Sequence, residues 1–248
     1  MKLGALQPGY VPWLGFFDQM ARVDLFLVYD EMQYTHYDWR NRNRIKGSQG
    51  EIWLVVPVKH QPGARICKVR IDNRKNWRRK HLNAMRMNYA RAPFFKRYVP
   101  YFQELYSREW DKLVDLDMEI IRFCAAELGI KTPIVLASEQ YLEDRFIQAG
   151  WSEDRRTERI IFFMKELGAE VLFEGESGKS YINEEMMDRA GCRVEYQQYH
   201  HPVYHQQFGP FIPYLSVVDL MFNHGDESLD ILLGEKVVDI QEKGRSVR

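Results

Sequence analysis

"MKLGALQPGYVPWLGFFDQMARVDLFLVYD", residues 1–30, carries the pattern from which the fold follows. The apolar run 3–6 reads as a short buried strand, ended by Pro8 and Gly9. "WLGFFDQMARVD" then sets Leu14, Phe17, Met20 and Ala21 on one face at helical spacing. "LFLVYD" is a second buried strand that closes on Asp30. Strand, turn, helix and strand in so short a stretch open an α/β unit, because a parallel pair needs a crossover between its strands.

The rest of the chain extends that unit. "EIWLVVPVK" (51–59) predicts a third strand and "RICKVRID" (65–72) a fourth. A basic helix over 77–90 is broken at Ala92-Pro93, "FFKRYVPYFQELYSR" (94–108) resumes the helical pattern, and a long helix over 113–128 stops at Gly129. "TPIVLASE" is a strand, "DRRTERIIFFMKELGAEVLFEG" (154–175) a helix and a strand, and a further helix begins near Ser180. "CRVEYQQY" (192–199) is a late strand, and "YLSVVDLMFNHG" (214–225) a helix ended by Gly225. No repeat or low-complexity linker interrupts this order. The expectation is one α/β domain over 1–248: a Rossmann-like, HUP or nucleotidyltransferase-like, mostly parallel sheet with a helical insertion at 75–128.

Composition narrows the function classes. Hydrophobic residues make up 45% and charged residues 28%, as in ordinary globular proteins. No stretch approaches the roughly 20 apolar residues that span a bilayer, and no secretory leader is visible. Cys67, Cys124 and Cys192 are odd in number and in no metal-ligand spacing, which suits small core residues in a reducing cytoplasm. Neutral overall, the chain is locally asymmetric: residues 40–97 hold 17 Lys and Arg against Glu51 and Asp72. Two opposed solvated faces would explain this, and so would a focused positive surface for an anionic partner, a nucleotide diphosphate or an RNA backbone.

Several stretches carry residues suited to chemistry. After the first strand, Gly9 and Gly15 stand where backbone N–H groups approach a ligand in open α/β folds. "GALQPGY" resembles the first turn of HIGH-type nucleotidyltransferases, but Gln7 and Tyr10 stand where that family has histidines, so both are read as substrate contacts, Tyr10 beside the reacting groups. In "YDEMQYTHYDWRNRNRIKG" (29–47), Asp30 ends a strand, and Gln33, Tyr34, Trp39, Asn41, Arg42, Asn43 and Arg44 follow in a polar loop. Arginine forks suit phosphate, amides suit hydroxyls, and Tyr34 and Trp39 offer stacking faces. The alternative is a loop tied to its own backbone by Asn. On the basic helix His81 suits a general base, or equally a donor to a core carbonyl.

"EGESGKSY" (174–181) places Gly175, Ser177, Gly178, Lys179 and Tyr181 between a strand and a helix as an anion cradle, without Walker A spacing. In "YHHPVYHQQFGPFIPYLSVVDLMFNHG" (199–225), Tyr204, Gln206 and Phe208 read as pocket-lining, and Asp219 and Asn223 as a polar pair on an apolar helix. His200, His201, His205 and His224 complete no familiar ligand set, so no metal is expected.

The long N-terminal stretch from "LQPGYVPWLGFFDQM" to "RNRNRI", with "WLVVPVK", "NWRRKHLNAMRMNYARAPFF", "FEGESGKSYINEE" and "YHQQFGPFIPYLSVVDLMFNHG", resembles the WbqC-like protein family over nearly the whole chain. The resemblance implies a place in surface-polysaccharide or related biosynthesis, with attachment of an amino acid such as glycine to an amino sugar or another amine. The sequence reading is therefore a transferase that acylates the amine of a nucleotide-linked amino sugar. His81 or Asp30 would be its base, and Asn41, Asn43 or the Gly178 turn its oxyanion donors. No cofactor is required; ATP or aminoacyl-tRNA enters only as a co-substrate, and the partner is a phosphate-bearing small molecule or a tRNA, not a membrane. The rivals are an ATP-dependent ligase with a degenerate HIGH-like motif and a noncatalytic nucleotide-sugar or RNA-binding module.

Overall fold

Every residue of "LFLV" in the second strand is apolar, and such continuous runs belong to strands covered on both faces. The computed structural model of the protein describes residues 1–150 and 156–239. β1 (Lys2–Leu6), α1 (Leu14–Ala21) and β2 (Leu25–Val28) form the opening unit. Two hairpins follow: β3 (Arg42–Gly47) with β4 (Gly50–Val55), and β5 (Val58–Lys59) with β6 (Arg70–Ile71). Then come α2 (Trp77–Tyr89), α3 (Phe95–Ser107) and α4 (Leu113–Leu128). β7 (Ile134–Leu136), α5 (Leu142–Gln148), α6 (Arg156–Glu166), β8 (Val171–Gly175), α7 (Glu184–Arg189), β9 (Arg193–Gln197), α8 (Val217–His224) and α9 (Ser228–Leu233) complete the order.

The main sheet has the order β7-β2-β1-β8-β9, and every neighbouring pair is parallel. This is the α/β, Rossmann-like sheet expected. Leu3, Leu27 and Leu172 enter one buried cluster, with α5, α6 and α7. Phe26, Val28 and Phe173 enter the other, with α1 to α4 and α8. Adjacent residues of one strand thus serve opposite cores, as the two-residue period requires. Cys67, Cys124 and Cys192 are buried free thiols. Among the described residues no helix is long and apolar enough to cross a membrane.

Several local expectations are corrected. Residues 42–47, read as loop, form β3, and their partner is the first part of "EIWLVVPVK". That apolar run is not one strand, because Pro57 has no N–H to continue the ladder and separates β4 from β5. Of "RICKVRID" only Arg70–Ile71 is strand; Ile66–Lys68 is a 3-10 turn. The helix expected near Ser180 begins at Glu184, where the Asn183 side chain caps it by accepting from Met186 N. The start expected for α6 at Asp154 and Arg155 lies outside the described residues, and α5 and α9 were not foreseen.

Asp30, a candidate base, is consumed by the fold. Its buried carboxylate accepts from Ser138 N at 3.0 Å and from Ser138 Oγ at 2.5 Å, tying the end of β2 to the turn after β7. Asp30→Ala therefore should lower stability by about 2 kcal/mol in urea unfolding, the order of hydrogen bonds made to a carboxylate. An unchanged midpoint would contradict this anchoring role.

Candidate functional site

The chain leaves β1 toward β2 on one side, and later enters β8 on the other, so loops diverge between the carboxyl ends of β1 and β8. A crevice at such a switch point is where open parallel sheets bind ligands. Here it is a cleft of about 940 Å³ whose walls include Gln7, Gly9, Trp13, Trp39, Arg40, Asn43, Arg44, Arg156, Arg159, Glu174, Ser177, Tyr181 and Tyr214.

The turn after β1 is held from behind. Tyr10 N donates to the carbonyls of Trp39 and Arg40, and Arg40 Nη1 donates to the Gln7 and Pro8 carbonyls at 3.2 and 3.0 Å. Asn43 Nδ2 donates to Val11 O at 2.8 Å. That clamp holds Val11, β-branched and buried, at φ 40, a conformation that costs about 1–3 kcal/mol. Gly15 is needed for space: a Cβ there would lie 2.2 Å from the Trp13 ring, which folds back over the start of α1 and into the cleft wall.

Opposite stands Glu174, the penultimate residue of β8, with only 8% of its surface exposed. Burial raises its carboxyl from 4.5 to about 7, against the opposing effect of hydrogen bonds from Gly175 N and the Tyr181 hydroxyl. Gly178 permits this enclosure, since a Cβ on it would meet Glu174 Cγ at 2.6 Å. Burial likewise pushes the Tyr181 phenol up to about 12. The Arg156 guanidinium lies 5.7 Å from the Tyr181 ring, and Arg159 pairs with Glu143 at 3.2 Å. Across the cleft, the buried Nε donors of Arg40 and Arg44 have no acceptor among the described residues.

Of the residues singled out from sequence, Gln7, Gly9, Trp39, Asn43, Arg44, Ser177 and Tyr181 meet in this cleft. Gly15 and Gly178 lie behind the walls, leaving room for Trp13 and Glu174, Gly175 donates its N–H to Glu174, and Lys179 is exposed and pairs with Glu176 at 3.2 Å. The others lie elsewhere. His81 is 4% exposed, and burial holds its imidazole down at about 4 while it hydrogen-bonds the Val55 backbone. Its Nδ1 lies 2.8 Å from the Tyr10 hydroxyl, which also meets Tyr106. His81 and Tyr10 are thus a sealed core pair, not a base and its helper. Asn41 and Asn43 each commit one amide N–H to the backbone, of Val56 and Val11 respectively, and of the two only Asn43 lines the cleft.

Tyr34 is buried beside His60, Gln33 is exposed in a bridge to Arg65, and Arg42 lies over Trp53, away from the cleft walls. Asp219, Tyr204, Gln206 and Asn223 form a separate buried network. Asp219 accepts from Tyr89 at 2.6 Å and Tyr204 at 2.9 Å, and Asn223 Nδ2 donates to the Asp219 carbonyl. Gln206 accepts from Lys46, and Phe208 is a half-exposed corner at φ 60. These residues secure the segment before α8. Among the described residues no group of three His, Cys, Asp or Glu is arranged to hold a metal ion.

The sequence patterns do not single out Glu174, Arg40, Arg156 or Trp13, which also line the cleft. Glu174 was legible as an acid at the end of a buried strand, but its enclosure depends on Tyr181 and Gly178 folding over it.

The model of the WbqC-like protein family matches residues 7–231 of this chain. The chain is 35% identical to the uncharacterized protein Rv1507c of Mycobacterium tuberculosis, over 93% of this chain and 97% of that protein. No solved structure matches it.

Because the fold favours protonated Glu174, the group's contribution to stability is complete below 4.5 and is lost as pH rises through about 7. Glu174→Gln should remove that loss. Relative to wild type, the variant should gain thermal stability between about pH 5 and about pH 8, by at most about 3 kcal/mol. Parallel melting curves for the two proteins across that range would show Glu174 titrating normally.

Proposed function

The chain belongs to the WbqC-like protein family, and on that premise we propose that it is a transferase acylating the amine of a nucleotide-linked amino sugar, in surface-polysaccharide or related biosynthesis. The observation that carries this reading is Glu174: a carboxyl raised to about 7 in the wall of a switch-point cleft faced by arginines.

An amine at neutral pH is mostly ammonium and must lose a proton before it attacks. A carboxylate with its pKa near 7 is a stronger base than an ordinary one and is still half ionised at that pH. In the step proposed, Glu174 takes a proton from the ammonium, and the free nitrogen attacks the acyl carbonyl of an activated oxygen ester. The C–N bond forms, the C–O bond breaks, and the departing oxygen leaves with a proton. The Tyr181 hydroxyl, bonded to Glu174, keeps the carboxyl oriented. The diphosphate would lie against the guanidinium groups of Arg40 and Arg44 that line the cleft, with Arg156 opposite. Trp13, Trp39 and Tyr214 would flank the base or sugar.

The test is mass spectrometry of a nucleotide-linked amino sugar incubated with the protein and a panel of activated acyl donors. A mass gain equal to the acyl group is expected. Glu174→Gln should lower kcat at least about 100-fold and remove an ascending pH limb centred near 7. No mass gain over the panel would remove the reading. Pyrophosphate release with ATP and a free acid would replace it with a ligase.

A further inference from the structure

The β3–β4 hairpin has one face turned inward, carrying Asn43, Ile45 and Leu54, and one turned outward, carrying Arg42, Arg44, Trp53 and Val55. Burial does not account for the outward face. Trp53 is 45% exposed, and Trp39, from the preceding loop, is 44% exposed. Their rings stack with centroids 5.6 Å apart and an interplanar angle of 21°. Arg42 lies 4.8 Å from the Trp53 ring and donates to the Tyr37 carbonyl; Arg44 lies 5.2 Å from Trp39 and 5.6 Å from Trp53 and pairs with Glu51 at 2.7 Å. Register explains the interleaving, since Arg44 is paired with Trp53 and Arg42 with the next outward residue, Val55.

Aromatic faces alternating with guanidinium groups meet the two needs of a single-stranded nucleic acid: stacking for bases and cations for the phosphates between them. On the inward side of the hairpin α2 packs against both strands, and the sequence holds no acid between Asp72 and Glu104. Among the described residues, Lys75, Arg79, Lys80, Arg86, Arg91 and Lys96 in that interval have no acid within ion-pair distance. A neutral glycan would use the indoles and leave the guanidinium groups beside them without purpose. Trp39 and Arg44 also line the cleft, so the platform and the cleft share a border.

We propose that this face docks the single-stranded 3′ end of an RNA, with bases on Trp39 and Trp53 and phosphates against Arg42 and Arg44. The docking stands on the hairpin alone. Its purpose rests on the transferase reading: the strand would bring an acyl group, esterified to its terminal ribose, to the cleft mouth. There the ribose–acyl C–O bond breaks as the amide C–N bond forms, and the ribose oxygen leaves protonated.

The test is fluorescence anisotropy of a labelled single-stranded RNA of about ten nucleotides, with the duplex of the same sequence, inorganic polyphosphate and a neutral oligosaccharide as competitors. The single strand should bind best, with an affinity that falls steeply as salt rises. Trp53→Ala should weaken binding about tenfold, within the range measured for loss of one stacking partner. Arg42→Gln should reduce the salt dependence, and melting curves would verify that both variants fold. Absence of binding would overturn the proposal, as would equal competition by duplex or polyphosphate, or displacement by the oligosaccharide. RNA binding without acyl transfer would leave the platform standing and remove the transferase reading. Transfer from small esters without RNA binding would do the reverse.

Discussion

β1 is hydrogen-bonded on both edges, to β2 along one and β8 along the other, with all three strands running the same way. Two parallel neighbours cannot both follow β1 directly, so the chain completes one side of the sheet before crossing to the other. The loops leaving Leu6 and Gly175 are thereby sent apart, and the space between them is the cleft. The strands stay in place because both faces are covered. Each of Leu27, Phe26 and Val28 is fully buried, worth roughly 1.5–3 kcal/mol apiece. The cleft is thus a consequence of strand order, and it persists whatever side chains line it.

What those side chains do is set by how closely the loops approach. Glu174 titrates near neutrality because the turn after β8 folds over it, and that turn closes because position 178 has no Cβ. On the other wall, Trp13 lies over α1 because Gly15 leaves room, and the loop at Trp39 and Arg40 docks on the backbone of Tyr10. The region carries local costs: a β-branched residue at positive φ, a buried carboxyl, and arginine Nε donors without acceptors among the described residues. Elsewhere some buried carboxylates are given their donors, as in the Asp30–Ser138 and Asp219–Tyr89–Tyr204 contacts, whereas both oxygens of the buried Asp117 have none among the described residues.

The positive window divides by location. Arg65, Arg70, Arg78 and Arg97 are matched with acids from other parts of the chain, which is how a local excess coexists with zero net charge. Arg40 and Arg44, paired locally with Asp38 and Glu51, reach the cleft, and Arg42 lies with the exposed indoles. A charge imbalance along the sequence therefore does not become one continuous field on the surface. It is partly neutralised at short range, where ion pairs form, and remains available on α2 and the hairpin.

Legibility in the sequence followed the range of the interactions involved. Periodicity and stop residues located β1, α1, β2, α4 with its Gly129 end, β8 and α8, because those signals lie within one turn or one strand. They also led to the turn after β1 and the segment after β8 as the two sides of the site. Whether a polar residue in those segments faces the cleft or the core is decided by contacts far apart in sequence. His81 is spent on Tyr10 and Val55, Asp30 on Ser138, and Asn41 on Val56, while Glu174 is confined by Gly178 and Tyr181. The sequence by itself determined the α/β class and the segments that border the cleft, since local pattern suffices for those. Only the tertiary structure decided which acid is tuned and which histidine is sealed, because burial and hydrogen-bond partners are properties of the folded chain.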